Sequence, residues 1–412
     1  LCALGLFGCA TSPTAEGPRA ALSPAEAARV EARQHFDQGR SATDETEKIQ
    51  HFTRAIELHP HYVAAYVERG RVHADHGRYD EATRDYDAAI RLAPTYAEAY
   101  RLRGVAHREA GRLDLALCDF SESLRLHPGR ADVYCDRGRT YCEKGQYFLA
   151  LCDFTEAIEC DPPADIQAQA HDGRGLCYEM TQRIDLAIQE YSEAIRLNPN
   201  VADYYRHRGD VQGHKGNRDR AIRDYTEAIR LNPSDPVPYN NRGWEYEQKE
   251  QYELALIDYA KAIQLKPDFS LAYRYRGNTY RKIQEYGRAL KDYGEAIRLD
   301  PADYLAYWGR ASVYRVKSEN GSALRDYNQA IRLAPKDGVV RFWRAMLHMD
   351  DENYDLAVTD LDEAIKLKPD YGDAYFWRAR AHMAMHNPIK AGEDVEACRR
   401  LKHEVPEDVV NG

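Results

Sequence analysis

A proline recurs along most of this chain with a fixed step of 34 residues: Pro60, Pro94, Pro128 and Pro162, then, after one step of 37, Pro199, Pro233, Pro267, Pro301, Pro335 and Pro369. A constant period of this size marks an array built from one supersecondary unit, each copy burying its apolar face against its neighbours. Length alone would suggest two or three domains. The repeat overrides that prior, and the expectation is one elongated domain.

One repeat, residues 202–235, shows how the unit folds. With Ala202 as position 1, Tyr205, Gly209 and Gln212 fall at positions 4, 8 and 11, one stripe of a helix. Ala221, Tyr225, Ala228 and Ile229 fall at 20, 24, 27 and 28, a second stripe. Gly216 at position 15 suits a helix end that needs φ > 0. Pro233 cannot continue the second helix. Each unit therefore reads as two antiparallel helices, A and B, each roughly 20 Å long at 1.5 Å per residue. Small residues at positions 8 and 20 let helices approach, and an aromatic at 24 (Tyr86, Phe120, Phe154, Tyr191, Tyr225, Tyr259, Tyr293, Tyr327) fills the space they leave.

This small–small–large–small–Pro pattern resembles the tetratricopeptide repeat, over about residues 25–404. The resemblance implies an all-α fold, a right-handed superhelical solenoid of about eleven helix-turn-helix repeats. One departure is systematic. Position 7, usually Leu in that family, is Arg in ten repeats: Arg69, Arg103, Arg137, Arg174, Arg208, Arg242, Arg276, Arg310, Arg344 and Arg378. Position 23 is acidic in the same ten: Asp85, Asp119, Asp153, Glu190, Asp224, Asp258, Asp292, Asp326, Asp360 and Asp394. Antiparallel helices bring 7 and 23 to one level, so a ladder of ion pairs is expected, within a repeat or across to the next. An anion-binding groove is the alternative.

Outside the repeats the chain divides simply. Residues 1–9, LCALGLFGC, start on Leu rather than Met, and the true N-terminus is expected to be missing. Leu6, Gly8 and Cys9 resemble a bacterial lipobox, with Phe7 atypical; the resemblance implies a truncated signal peptide, lipidation at Cys9 and, with Ala10 following, the outer membrane. Residues 10–24 read as a flexible tether. Repeat 1 carries a stretch, GRSATDETE, that reads as a longer turn, and residues 162–167 hold the three-residue insertion at a junction between repeats. Asn320-Gly321-Ser322 reads as a turn. Residues 405–412 read as a disordered tail.

A net charge of −10 argues against a nucleic-acid partner. No stretch of 18 apolar residues could span a membrane, so membrane contact is expected only through the lipid anchor. No nucleophile elbow, phosphate loop or metalloprotease motif occurs, so the reading is non-enzymatic, with no cofactor. Six cysteines lie between 118 and 177 (Cys118, Cys135, Cys142, Cys152, Cys160, Cys177), without metal-ligand spacing, and read as small apolar fillers rather than a metal or redox site. His73, His107, His348 and His382 stand at position 11, where several repeats carry Tyr, and read as packing substitutes.

The family resemblance implies protein or peptide binding on the concave face, through helix A positions 2, 5, 6, 9, 12 and 13. From repeat 7 onward these positions turn apolar and aromatic: Trp244, Trp308, Phe342, Trp343, Met346, Phe376 and Trp377, flanked by Arg274 and Arg281. Trp308, Phe342 and Phe376 share position 5 and are expected to line one wall. End packing is the competing explanation. Asn241 and Asn278 echo a carboxylate clamp for C-terminal peptides, but its lysines are absent. The expected function is a peptide-binding scaffold in the bacterial cell envelope; the alternative is a permanent structural subunit of a larger envelope assembly.

Overall fold

A computed structural model describes residues 23–401. Cys9, the tether up to Leu22 and the tail 405–412 lie outside the described residues. Among those described there are 22 α-helices in tandem and no strand. Two compact bodies meet in sequence at Arg183 and Ile184. The N-terminal body holds α1 (Pro24–Ser41), α2 (Glu45–Leu58), α3 (Val63–Asp75), α4 (Tyr79–Leu92), α5 (Ala97–Glu109), α6 (Leu113–Leu126), α7 (Ala131–Glu143), α8 (Tyr147–Glu159) and α9 (Ala164–Met180). The C-terminal body opens with α10 (Ile184–Leu197), followed by α11 (Ala202–His214), α12 (Arg218–Leu231), α13 (Pro236–Gln248), α14 (Tyr252–Leu265), α15 (Ser270–Lys282) and α16 (Tyr286–Leu299). It ends with α17 (Tyr304–Val316), α18 (Asn320–Leu333), α19 (Gly338–Asp350), α20 (Tyr354–Leu367), α21 (Gly372–Ala384) and α22 (Pro388–Arg400).

Helix A occupies positions 1–13 and helix B 17–30 of a regular repeat, joined by three residues. The middle one, position 15, is left-handed throughout. Gly77, Gly111, Gly145 and Gly216 sit there at φ +71° to +84°, as expected, but so do Glu250 (+59°), Gln284 (+62°) and Glu352 (+59°). The backbone explains why a side chain is tolerated: Gln251 N donates to Tyr246 O at 2.9 Å, closing the helix end whatever the residue. At position 8 the small residue makes room for the ring at 24. A Cβ on Gly70 would lie 2.7 Å from the Tyr86 ring. Where Ala345 and Ala379 replace glycine, the facing residue shrinks to Leu361 or Val395, both buried, whereas Ala311 still faces a buried Tyr327.

Three irregular stretches differ from expectation. The turn in repeat 1 is not longer, because α2 begins at Glu45, three residues past Ala42. Instead α1 runs 18 residues against 13 in α3, extended backward to a capping box in which Ser23 and Glu26 satisfy each other's backbone N–H groups. The insertion before repeat 5 is likewise taken up as helix, since α9 has 17 residues. Asn320 is not in a turn; it starts α18 and its amide nitrogen donates to Asp351 Oδ1 at 2.5 Å.

Position 7 pairs with position 23 inside its own repeat. Arg276 donates from Nε to Asp292 Oδ2 (2.7 Å) and from Nη2 to Oδ1 (2.8 Å). The same fork forms at Arg69, Arg103, Arg137, Arg208, Arg242, Arg310, Arg344 and Arg378. Arg174 and Glu190 belong to different bodies. The remaining nitrogen, Nη1, reaches back to position 25 of the preceding repeat: Arg69 to Thr53 (2.9 Å), Arg208 to Ser192 (3.1 Å), Arg242 to Thr226 (3.0 Å), Arg344 to Asn328 (2.5 Å). One guanidinium thus ties three helices. In repeat 1 the rung is built from histidines, His35 Nδ1 and His51 Nδ1 standing 3.1 Å apart. Position-11 histidines flank the ladder: His73, His107 and His348 lie 3.8–3.9 Å from Asp85, Asp119 and Asp360. Burial pushes all three imidazoles below their ordinary pKa, with the neighbouring carboxylate opposing.

Position 25 is Ala260 before Arg276 and Gly294 before Arg310, so these two rungs lack the third acceptor. A Cβ at Gly294 meets nothing within 4 Å. Gly294→Asn should therefore stabilise the protein by about 1 kcal/mol, from a new hydrogen bond to Arg310 and removal of a mid-helix glycine. Urea unfolding of the pair checks it. No gain over Gly294→Ala would show that the missing acceptor costs nothing.

Candidate functional site

In the C-terminal body, helix A positions 5, 6, 9 and 12 of successive repeats carry the aromatic and cationic residues singled out above. Trp308 (α17) and Trp343 (α19) are half-buried, with ring centroids 6.5 Å apart and edge-on. Arg281 of α15 lies over Trp308 at 5.8 Å, and Arg315 of α17 lies over Trp343 at 5.7 Å. On α21, Arg380 lies over Trp377 at 4.9 Å and over Phe376 at 6.0 Å. Guanidinium groups thus alternate with indoles across neighbouring A helices. Such stacking contributes about 0.5–1 kcal/mol at exposed sites and more when water is excluded.

The cations differ in how they are compensated. Arg315 pairs with Asp350, Nε to Oδ2 at 2.5 Å. Arg274 Nε lies 2.9 Å from Asp303 Oδ2, an ion pair without a directed hydrogen bond. Arg281 makes no ion pair among the described residues, and neither its buried Nε nor the buried indole Nε1 of Trp308 has a hydrogen-bond partner there. Buried donors without acceptors cost about 1–3 kcal/mol each. The spot where Arg281 meets Trp308 is therefore short of acceptors and of negative charge.

Family models described as tetratricopeptide repeat match residues 49–97, 67–131, 202–235, 236–269 and 344–402, and one described as TPR repeat matches 178–216 and 277–315, together more than half of the chain. The chain belongs to the tetratricopeptide repeat family. No curated protein sequence matches it. Among solved structures, a tetratricopeptide repeat protein from Parabacteroides merdae is 21% identical over 61% of this chain and 98% of its own, with a TM-score of 0.47. YrrB, described as a TPR protein with an unusual peptide-binding site, is 24% identical over 45% and 95%, TM-score 0.36. Yeast Tom70 is 17% identical over 92% of both, TM-score 0.43. These likenesses concern the fold.

Several residues of this tetratricopeptide array stand elsewhere than their position suggested. Phe342 is buried, 5% exposed, because Tyr371 packs on it at a tilt, ring centroids 5.0 Å apart, and Trp343 meets it edge-on at 5.5 Å. Met346, 3% exposed, belongs to the same core. The wall of position-5 rings is therefore interrupted between Trp308 and Phe376, and neither Phe342 nor Met346 is offered to a ligand. The two asparagines have internal duties. Tyr293 OH donates to Asn278 Oδ1 (2.7 Å), and Asn241 Nδ2 donates to Asp210 Oδ1 (2.9 Å). Asp210 Oδ1 in turn accepts from Tyr225 OH at 2.8 Å. Position 9 thus serves the hydroxyls of Tyr225 and Tyr293, whereas Tyr259 OH donates to Glu247 Oε2 at position 12 (3.2 Å). Among the described residues no cluster of three or more His, Cys, Asp or Glu could hold a metal, and no helix is long and apolar enough to cross a membrane.

Beside the half-buried Trp244, sequence reading passed over Glu245. Position 10 is otherwise small or apolar (Val211, Val313, Leu347), yet Glu245 is 2% exposed. Its Oε1 occupies space a Cβ on Gly213 would need, 2.3 Å away, and its Oε2 has no hydrogen-bond partner. Arg218 is 3.8 Å off. Burial lifts the carboxyl above its ordinary value, with Arg218 and His214 opposing. A carboxyl whose folded pKa is raised stabilises fully below its unfolded pKa, and that contribution is lost as pH rises through the folded value. Glu245→Gln should therefore be about 1 kcal/mol more stable than the parent at pH 7.5. The advantage should vanish by about pH 3, below the ordinary Glu value of ~4.3, where both states hold the proton. Urea midpoints at both pH values check this; a pH-independent difference would contradict it.

Proposed function

We propose that this protein is a non-enzymatic scaffold of the bacterial cell envelope, lipid-anchored at Cys9 to the outer membrane. Its C-terminal repeats hold a partner protein by a peptide segment laid across α15, α17, α19 and α21. The observation that carries the binding reading is Arg281 over Trp308: a cation without a counter-charge and an indole N–H without an acceptor, on a face where Trp343, Trp377 and Phe376 remain half-buried. Trp and Arg dominate binding hot spots because large, rigid groups lose little entropy when a partner covers them. A segment with an acidic residue beside an apolar one matches this chemistry, the carboxylate meeting Arg281 and the apolar side chain covering the indoles. The anchor reading rests on Leu6, Gly8 and Cys9, followed by a small, polar, Pro-containing stretch.

All four tryptophans of the chain (Trp244, Trp308, Trp343, Trp377) occupy these A-helix positions, so intrinsic emission reports on the face directly. Panning a displayed peptide library on the full chain should enrich acidic–apolar sequences that shift this emission. Binders that leave the emission unchanged would place the site elsewhere. Fractionation tests the anchor separately: the parent should sediment with membranes and Cys9→Ala should not. Equal fractionation and equal mass of the two would remove the lipid.

A further inference from the structure

The N-terminal body brings together two cysteines that neither composition nor spacing marks as a pair. Cys142, at the end of α7, and Cys177, in the last turn of α9, have Sγ atoms 3.1 Å apart, closer than unbonded sulfurs normally rest. They occupy different repeat positions, 12 and 10, on A helices of successive repeats. Their surroundings differ. Cys177 is fully buried in a core cluster with Cys135, Phe154 and Ala170. Cys142 is half-buried and lines a cleft of about 390 Å³ with Leu176, Met180, Tyr147 and the Phe154 ring. Gly173 keeps that cleft open toward the ring, which a Cβ there would meet at 2.3 Å. A reagent entering the cleft therefore reaches one sulfur of the pair, with the second directly behind it.

We propose that Cys142 and Cys177 form a reversible disulfide that staples α7 to α9, and that a small-molecule disulfide reaching Cys142 through the cleft is the oxidant. The chemistry balances in two exchanges. Cys142 gives its proton to solvent and its thiolate attacks one sulfur of RS–SR, releasing RS⁻ and leaving a mixed disulfide. Cys177 then gives up its proton and attacks the Cys142 sulfur, displacing the second RS⁻. Two protein thiols are oxidised, RS–SR is reduced, and two RSH leave once protonated. The sulfurs need to close by about 1 Å to reach the bonded 2.05 Å, a shift within the reach of side-chain rotation. Cys142 lines the cleft and Cys177 is fully buried behind it, so the first step belongs to Cys142 and Cys177 is the resolving thiol. The hydrogen bond with Cys142 and burial also raise the Cys177 thiol above its ordinary range.

Oxidised glutathione is the probe. The folded full-length protein is treated with it, alkylated, and mapped by non-reducing digestion. The expected result is one cross-linked peptide pair joining Cys142 to Cys177, cleaved by dithiothreitol. The exposed Cys118 and Cys152 should carry only removable glutathione. Slower amide exchange in α7 and α9 should accompany oxidation. In Cys177→Ser the reaction should stop at the mixed disulfide on Cys142, a gain of about 305 Da at that peptide. Stable glutathionylation of Cys142 in the parent would overturn the proposal. So would Cys177 alkylated as a free thiol after denaturation, or linked to Cys135 or Cys160. Mapping the parent decides the matter even if the serine variant does not fold.

Discussion

Arg276→Ala is expected to destabilise the C-terminal body by about 3–5 kcal/mol, the usual cost of stranding one half of a buried ion pair. Asp292 is 3% exposed and receives both its hydrogen bonds from Arg276. The guanidinium also lies over Tyr273 at 5.5 Å. Removing it leaves a buried carboxylate without either of its two hydrogen-bond donors. Because a repeat array can unfold in parts, the measurement is amide exchange across α15 and α16 together with urea unfolding. Arg276→Leu introduces the residue the family usually carries, and alone it should cost nearly as much. Combined with Asp292→Leu it should recover most of the loss, since a buried pair replaced by apolar groups is often neutral. A single Arg276→Ala within a few tenths of a kcal/mol of the parent would mean that water reaches Asp292, and the ladder would then be worth only what exposed pairs are worth.

The second large effect concerns binding. For any peptide captured on the aromatic face, Arg281→Glu or Trp308→Ala should weaken affinity at least about 30-fold, roughly 2 kcal/mol and the threshold of a hot spot. Arg281→Glu is the sharper test, because it reverses a charge without breaking an ion pair. Arg281 also hydrogen-bonds the buried Tyr293, so thermal unfolding is followed for this variant as well. Arg101→Ala serves as the control. Arg101 is held internally by Asp136 (2.9 Å) and Glu98 (3.1 Å) in the other body, and the substitution should change affinity less than twofold. Titration by tryptophan emission measures all three, with thermal unfolding showing that Trp308→Ala remains folded. Retained affinity in Arg281→Glu would mean the indoles are packing residues and the ligand lies elsewhere.

Much of this was legible in the chain itself. The 34-residue period, the helix pair, the small residues at 8 and 20 facing the ring at 24, and the level pairing of 7 with 23 all follow from spacing. Each is a local or short-range relation that recurs, so repetition averages away the noise of any one copy. The ladder is the clearest instance. Residues 16 apart across one hairpin pair in the same way in Arg69–Asp85 and in Arg378–Asp394.

What repetition averages, it also hides. Trp308 and Phe342 share position 5, but Phe342 is sealed by Tyr371, the N-cap residue of α21, and Trp308 is not. Asn278, which only echoes a carboxylate clamp in the sequence, is the acceptor for Tyr293. Glu250 stands at φ +59° in a place that local preference reserves for glycine. Cys142 and Cys177, 35 residues apart at unlike positions, meet because two A helices pack side by side. In each case the outcome depends on what a neighbouring element places against the side chain, or on backbone hydrogen bonds made by the whole hairpin. The sequence by itself determined the repeating unit and its ladder, because those relations lie inside one period. Only the tertiary structure decided which copies of a position are open to a ligand and which thiols touch, because burial and contact are set pairwise between repeats.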